Sequence, residues 1–243
     1  MTRRRRRWHL LAGYAAQMAV YLALYAAPYR SPEALRARLG VQWPLRVDRA
    51  LGLGRAPAVR LQRWLARPGE VARHDVALAC LHWSWFFVPH GIVARSIWRD
   101  PEGAGPRAAI RMSATFDVGL LGYWLVPTAP PWWASRAGQG PPTRRLMEEA
   151  GEVVWGPVWP RLFSTLEGNP WAAMPSVHFA TAVTGARLLA REGSGPAALG
   201  TAYAAALGLG LVYLGEHYVV DLAAGLALSE GVRVAVERLY FRK

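Results

Sequence analysis

Two stretches combine residue types and spacing that allow chemistry, Glu216-His217-Tyr218-Val219-Val220-Asp221 and Met174-Pro175-Ser176-Val177-His178. On a helix, residues four apart share a face, so Asp221 reaches the imidazole of His217 one turn earlier. A carboxylate on one ring nitrogen fixes the tautomer and leaves the other nitrogen free to attack an electrophile such as phosphorus. The same spacing also suits an interfacial His–Asp pair that only caps a helix, and His-x3-Asp alone does not separate the two. In the second stretch, Pro-Ser before an apolar run is a helix-start signal, with Ser176 as N-cap. The N–H groups of that first turn, at Ser176 and Val177, form an anion site suited to phosphate oxygens. His178 projects from the same turn, placed to protonate a leaving oxygen. Together the two stretches favour phosphoester chemistry over two incidental caps.

Elements that would position these groups emerge from the apolar runs. Apolar residues make up 53% of the 243-residue chain and charged residues 19%, which fits one domain rich in apolar surface. Segments at about 8–27, 76–94, 108–126, 176–190, 196–215 and 217–238 are apolar enough to predict six membrane spans. The expected fold is therefore all-α: a polytopic membrane bundle with an N-terminal span and Arg-rich amphipathic segment over 1–75 and a catalytic core over 76–243. The run Trp8–Ala27 follows five consecutive arginines and ends before Pro28, which suits an uncleaved span better than a signal peptide. Val47 to Leu65 alternates apolar and basic residues at helical spacing, broken by Pro57, and predicts an amphipathic surface helix.

The formal charge is +13, from 29 basic and 16 acidic residues, and Lys243 is the only lysine. Arginines lie in blocks between apolar runs, the pattern of a protein facing anionic lipid; a nucleic-acid binder would gather them on one element. Their placement predicts a cytoplasmic N-terminus, with fifteen basic residues at the inner ends and four, Arg136, Arg144, Arg145 and Arg161, in the outer region 127–175. Segment 29–75, with ten arginines, runs against that rule. The expected location is a bacterial cytoplasmic membrane, with the histidines at its extracytoplasmic face. A lone cysteine, Cys80, excludes an intrachain disulfide and multi-cysteine metal sites. Asp117, inside the third span, is either functional or a buried partner of Ser113 or an arginine. The cluster of His82, Trp83, Ser84, Trp85 and His90 reads as a polar helix face with interior structural histidines, in preference to metal ligands.

Pro175-Ser176-Val177-His178 and His217-Tyr218-Val219-Val220-Asp221 resemble the second and third motifs of the type 2 phosphatidic acid phosphatase superfamily, with Tyr213-Leu214-Gly215 and Gly225 also fitting. Pro127-Thr128-Ala129-Pro130-Pro131-Trp132 resembles the branch that includes inositol phosphorylceramide synthases, and the likeness spans roughly 76–235. The resemblance implies a six-helix bundle with no metal or other cofactor, His217 as nucleophile, Asp221 as its partner and His178 as general acid. It implies a lipid phosphatase, or a phosphotransferase moving a headgroup between lipids; a non-enzymatic membrane protein is the rival reading. The family's first motif supplies a lysine and an arginine to hold phosphate, and the 127–132 block has neither. Leu211 stands where the third motif has an arginine. Arg136, Arg144, Arg145 and Arg161 are the candidate replacements, and a weaker clamp suits a singly charged diester better than a monoester.

Overall fold

A computed structural model describes residues 1–26, 32–166 and 169–241. Arg30, Ala27 at the end of the first apolar run, and Arg242 and Lys243 at the predicted inner face lie outside them. Among the described residues the chain is helical, with two isolated β-bridges and no strand. The helices are α1 (Arg3–Ala26), α2 (Pro32–Arg36), α3 (Gln42–Leu51), α4 (Pro57–Leu65), α5 (Arg73–Ser84), α6 (Val88–Arg99), α7 (Ala104–Leu125), α8 (Pro131–Arg136), α9 (Leu146–Trp155), α10 (Trp159–Leu166), α11 (Val177–Leu189), α12 (Ser194–Tyr213) and α13 (Val219–Val236).

The last three apolar segments become α11, α12 and α13, each within a few residues of its predicted start. The expected span over 76–94 is instead broken at 85–87 into α5 and α6, which meet at 43°. Pro89 lacks an amide hydrogen and so favours a helix start there. The single helix expected around Pro57 is likewise two, with Pro57 in the first turn of α4. These two helices are not merely laid on the surface: α3 packs against α13 and α4 against α12. By length and composition, Ser194–Tyr213 can cross a membrane, and the bent α5–α6 pair would make a second such segment. The other long helices carry charge within their length, including Arg111 and Asp117 on α7 and Asp221, Glu230 and Arg233 on α13.

The main core joins α1, α6, α7 and α11 through Tyr21, Val93, Ile97, Met112, Phe116 and Val177. Polar links cross it. Thr184 lies 3.1 Å from Thr115 and 2.8 Å from Ser229, hydroxyl to hydroxyl, tying α7, α11 and α13. Asp117 is also paired, but its partner is Gln17 of α1, whose amide donates to both carboxylate oxygens at 2.7 Å. Neither Ser113 nor an arginine serves, because α1 covers that face of α7.

Ion pairs fix the relative direction of the helices. Arg107 and Arg111 near the start of α7 and Arg191 beyond α11 all meet Glu237 beyond α13. Arg95 and Arg99 at the end of α6 meet Glu192. Five of the arginines grouped by sequence at one membrane face, Arg95, Arg99, Arg107, Arg111 and Arg191, thus share one end of the bundle. The first turns of α11 and α13, which carry His178 and Asp221, lie at the other.

Two glycines let neighbouring helices grip the Pro175-Ser176 corner. A methyl group at Gly122 of α7 would collide with the Pro175 ring, and one at Gly225 of α13 would sit 2.6 Å from the Ser176 carbonyl oxygen. Close backbone approach is what brings α13 and its aspartate against the start of α11.

Candidate active site

Ser176 caps α11, its Oγ accepting from Phe179 N–H at 3.3 Å, and its own N–H donates to the Asp221 carbonyl at 3.0 Å. Asp221 stands in the first turn of α13, where its Oδ2 accepts from Tyr218 N–H at 2.8 Å. The loop before it turns at Gly215 (φ +83°), where a Cβ would come 2.5 Å from the Arg144 carbonyl oxygen. Only glycine meets both demands. Beyond this turn the N–H groups of Glu216 and His217 both donate to the Leu211 carbonyl, at 3.0 and 3.2 Å, closing the end of α12.

That backbone presents a buried His217. Its Nε2 lies 3.3 Å from His178 Nδ1 and its Nδ1 lies 3.4 Å from Asp221 Oδ2. His178 is held against Trp85, with ring centroids 4.2 Å apart, and against His82 at 4.9 Å. Trp85 is anchored in turn, its Nε1–H donating to Thr181 Oγ1 at 2.7 Å. An imidazole flanked by a carboxylate on one nitrogen and a second imidazole on the other is oriented for nucleophilic or proton-transfer work.

The 127–132 block acts as scaffold. Thr128 N–H donates to the Trp171 carbonyl, Ala129 N–H to that of Gly40, and Trp132 N–H to that of Gly215, each at 3.0 or 3.1 Å. The block therefore fastens the His217 turn to the 169–174 segment leading into His178.

A cavity of about 200 Å³ opens beside the histidines, walled by Tyr21, Trp85, Phe86, Tyr123, Trp132 and Trp159 among others. His82, His178, Glu216 and His217 line it, and Arg145 is its only lining cation among the described residues. Arg145 is 5% exposed; its Nε donates to Glu216 Oε1 at 3.0 Å, and its guanidinium sits 3.8 Å over the Trp132 ring. Of the four candidate arginines, the fold brings this one to the histidines. Arg136 pairs with Glu148, and Arg144 pairs with Glu149 and donates to the Arg67 and Glu70 carbonyls. Arg161 lies on α10 and, with those two, is outside the cavity wall. The N–H groups of Ser176 and Val177 are engaged within the fold, by the Asp221 carbonyl and by Tyr123 Oη at 3.3 Å. His90, read with His82 as one polar face, faces away and meets Tyr14 Oη at 2.8 Å.

Sequence reasoning missed Asp48. Fully buried on α3, its Oδ1 accepts from Val220 N–H at 3.2 Å, so it caps the helix carrying Asp221. An anion suits a helix N-terminus, yet burial dominates and pushes this carboxyl up to about 6, with the Asp221 charge adding to the rise and backbone amides of Val220 and Val219 opposing it. Because the folded pKa lies above the value of 3.8 for a free aspartate, the stability it contributes is complete below about pH 4 and is lost as pH rises through 6. Asp48→Asn keeps the acceptor and removes the charge. It should be more stable than the wild type at pH 8 by on the order of 1–3 kcal/mol, and so unfold at a higher temperature, and match it near pH 4. Thermal unfolding at the two pH values measures this.

A family model described as PAP2 superfamily matches residues 42–232, a range that takes in α3 and both histidine segments. No curated protein and no solved structure matches the chain.

Proposed function

The chain belongs to the PAP2 superfamily, which carries a phosphatase or phosphotransferase type of activity, and from that premise we propose that it is an integral membrane enzyme cleaving a lipid phosphate ester through a phosphohistidine at His217. The observation that carries this reading is the Asp221–His217–His178 row at the cavity wall, with contacts of 3.4 and 3.3 Å. The Asp221 carboxylate, 3.4 Å from Nδ1, draws the ring hydrogen of His217 to that nitrogen, so the Nε2 lone pair, which faces His178 Nδ1, can turn to a bound phosphorus. The N–P bond forms as the bond to the leaving oxygen breaks. His178, as imidazolium beside the negative phosphate, gives its proton to that oxygen. Neutral His178 then takes a proton from water, which attacks phosphorus and releases His217 and phosphate. A lipid or polyol hydroxyl in place of water would make the same site a transferase.

The cavity's volume suits a phosphate and headgroup; pockets for drug-sized ligands run to roughly 300–1,000 Å³. Acyl chains would then lie outside, along the exposed apolar helix faces. Six membrane segments in the order read from sequence would place the arginine-rich end and the histidines at opposite faces, with the histidine end extracytoplasmic. With Arg145 already paired to Glu216, the site favours a singly charged diester over a dianionic monoester.

Purified protein incubated with labelled lipid monoesters and diesters, with and without inositol or diacylglycerol, tests the reading. Free phosphate or a released headgroup phosphate supports hydrolysis, and a new phospholipid supports transfer. Turnover of none of them would leave a non-enzymatic membrane protein.

A further inference from the structure

His82 stands at the end of α5, 6% exposed, with its ring on the cavity wall. Neither of its ring nitrogens has a hydrogen-bond partner among the described residues. The other five histidines differ. His9 and His74 meet backbone carbonyls, His90 meets Tyr14, and His178 and His217 meet each other. A buried imidazole with two unpaired nitrogens is costly to keep, and a water, an ion or a ligand that met them would recover that cost.

The location says which ligand. The His82 ring packs edge-to-face on His178 at 4.9 Å, and His178 on His217 at 5.5 Å. A phosphoryl group on Nε2 of His217 presents several non-bridging oxygens, each an acceptor. Arg145, the only lining cation among the described residues, gives its Nε–H to Glu216, and a neutral imidazole N–H adds a donor to what its guanidinium offers. A metal centre is the competing reading of three adjacent imidazoles. Among the described residues, however, no group of His, Cys, Asp or Glu is arranged to hold an ion.

We propose that His82 is a phosphate-binding residue of this site, donating a ring N–H to a non-bridging oxygen of the bound phosphoester. This rests on the phosphohistidine reading above and adds a ligand to it. A neutral donor strengthens the hold on phosphate without adding charge, in keeping with a site built for a monoanion. The α5–α6 break also gains a purpose, because it sets Trp85 against His178 one turn after His82.

Two measurements on the full-length protein test the assignment. His82→Phe should lower kcat/KM for a phosphodiester on the order of 10–100-fold, with His82→Asn or His82→Gln recovering about tenfold of it. In ¹⁵N-histidine-labelled wild type, inorganic phosphate and dimethyl phosphate should shift the His82 ring nitrogens, identified by their loss in the Gln variant. A His82 signal unmoved by either anion overturns the assignment. So does a Phe variant within about threefold of wild type while His217→Ala is inactive. A His217→Ala enzyme as active as wild type overturns the reading beneath, and the His82 assignment falls with it.

Discussion

His217→Ala is expected to remove phosphoester turnover, with a loss on the order of 10⁴-fold or more. Among the described lining residues, His178 lacks an adjacent carboxylate to fix its tautomer, His82 has no hydrogen-bond partner to fix its own, and Glu216 is tied to Arg145. Asp221→Asn makes a sharper test. The amide oxygen can still accept from Tyr218 N–H and keep the first turn of α13. That same oxygen position faces His217 Nδ1, so the substitution keeps the local geometry and removes the negative charge that stabilises the ring as it turns cationic on taking the phosphoryl group. A loss on the order of 10²–10⁴-fold in kcat with near-wild-type thermal stability is expected. Rapid quench with a ³²P-labelled substrate should trap an acid-labile, base-stable adduct on wild type and none on His217→Ala. An active His217→Ala protein would refute the covalent mechanism.

The parts of this site set by local chain chemistry were legible in the sequence. Ser176 before an apolar run marked the start of α11, whereas the helical spacing expected for His217 and Asp221 does not hold, because His217 lies in the turn before α13 and only Asp221 is on the helix. What brings the two segments together is non-local. Gly122 has no signal of its own in the sequence, and Gly225 stands out only through the resemblance, until Pro175 and the Ser176 carbonyl are placed against them. His82 could not be separated from His90, since both sit among apolar and aromatic residues. The break between α5 and α6 sends one ring to the cavity and the other to Tyr14. Asp48 looked like one more charge on an amphipathic helix, and only the packing of α3 on α13 makes it a cap. The 127–132 block, noticed for its resemblance, contributes backbone hydrogen bonds, which leave no side-chain signature. The arginine blocks did report a shared end of the bundle, because clustered like charges there need acidic partners and Glu192 and Glu237 supply them.

Among four arginines the sequence could not choose, and the choice of Arg145 carries the second large effect. Arg145→Met should lower kcat/KM by on the order of 10²–10³-fold for monoester and diester alike, since the only lining cation among the described residues is lost. The same change strands Glu216, whose side chain is 11% exposed, without its partner. Breaking a buried pair typically costs about 3–5 kcal/mol, so the variant should also unfold earlier. Arg145→Met/Glu216→Gln separates the two consequences: stability should return while activity stays low. Glu216→Gln alone acts in the opposite sense. It leaves the guanidinium in place over Trp132 and removes the neighbouring negative charge, so the cavity gains one unit of positive charge near the reacting phosphorus. The ratio of monoester to diester kcat/KM should then rise on the order of tenfold, and more at low ionic strength. An unchanged ratio would mean that the Arg145–Glu216 pair does not set which phosphate charge the cavity accepts. Selectivity would then have to come from the aromatic walls.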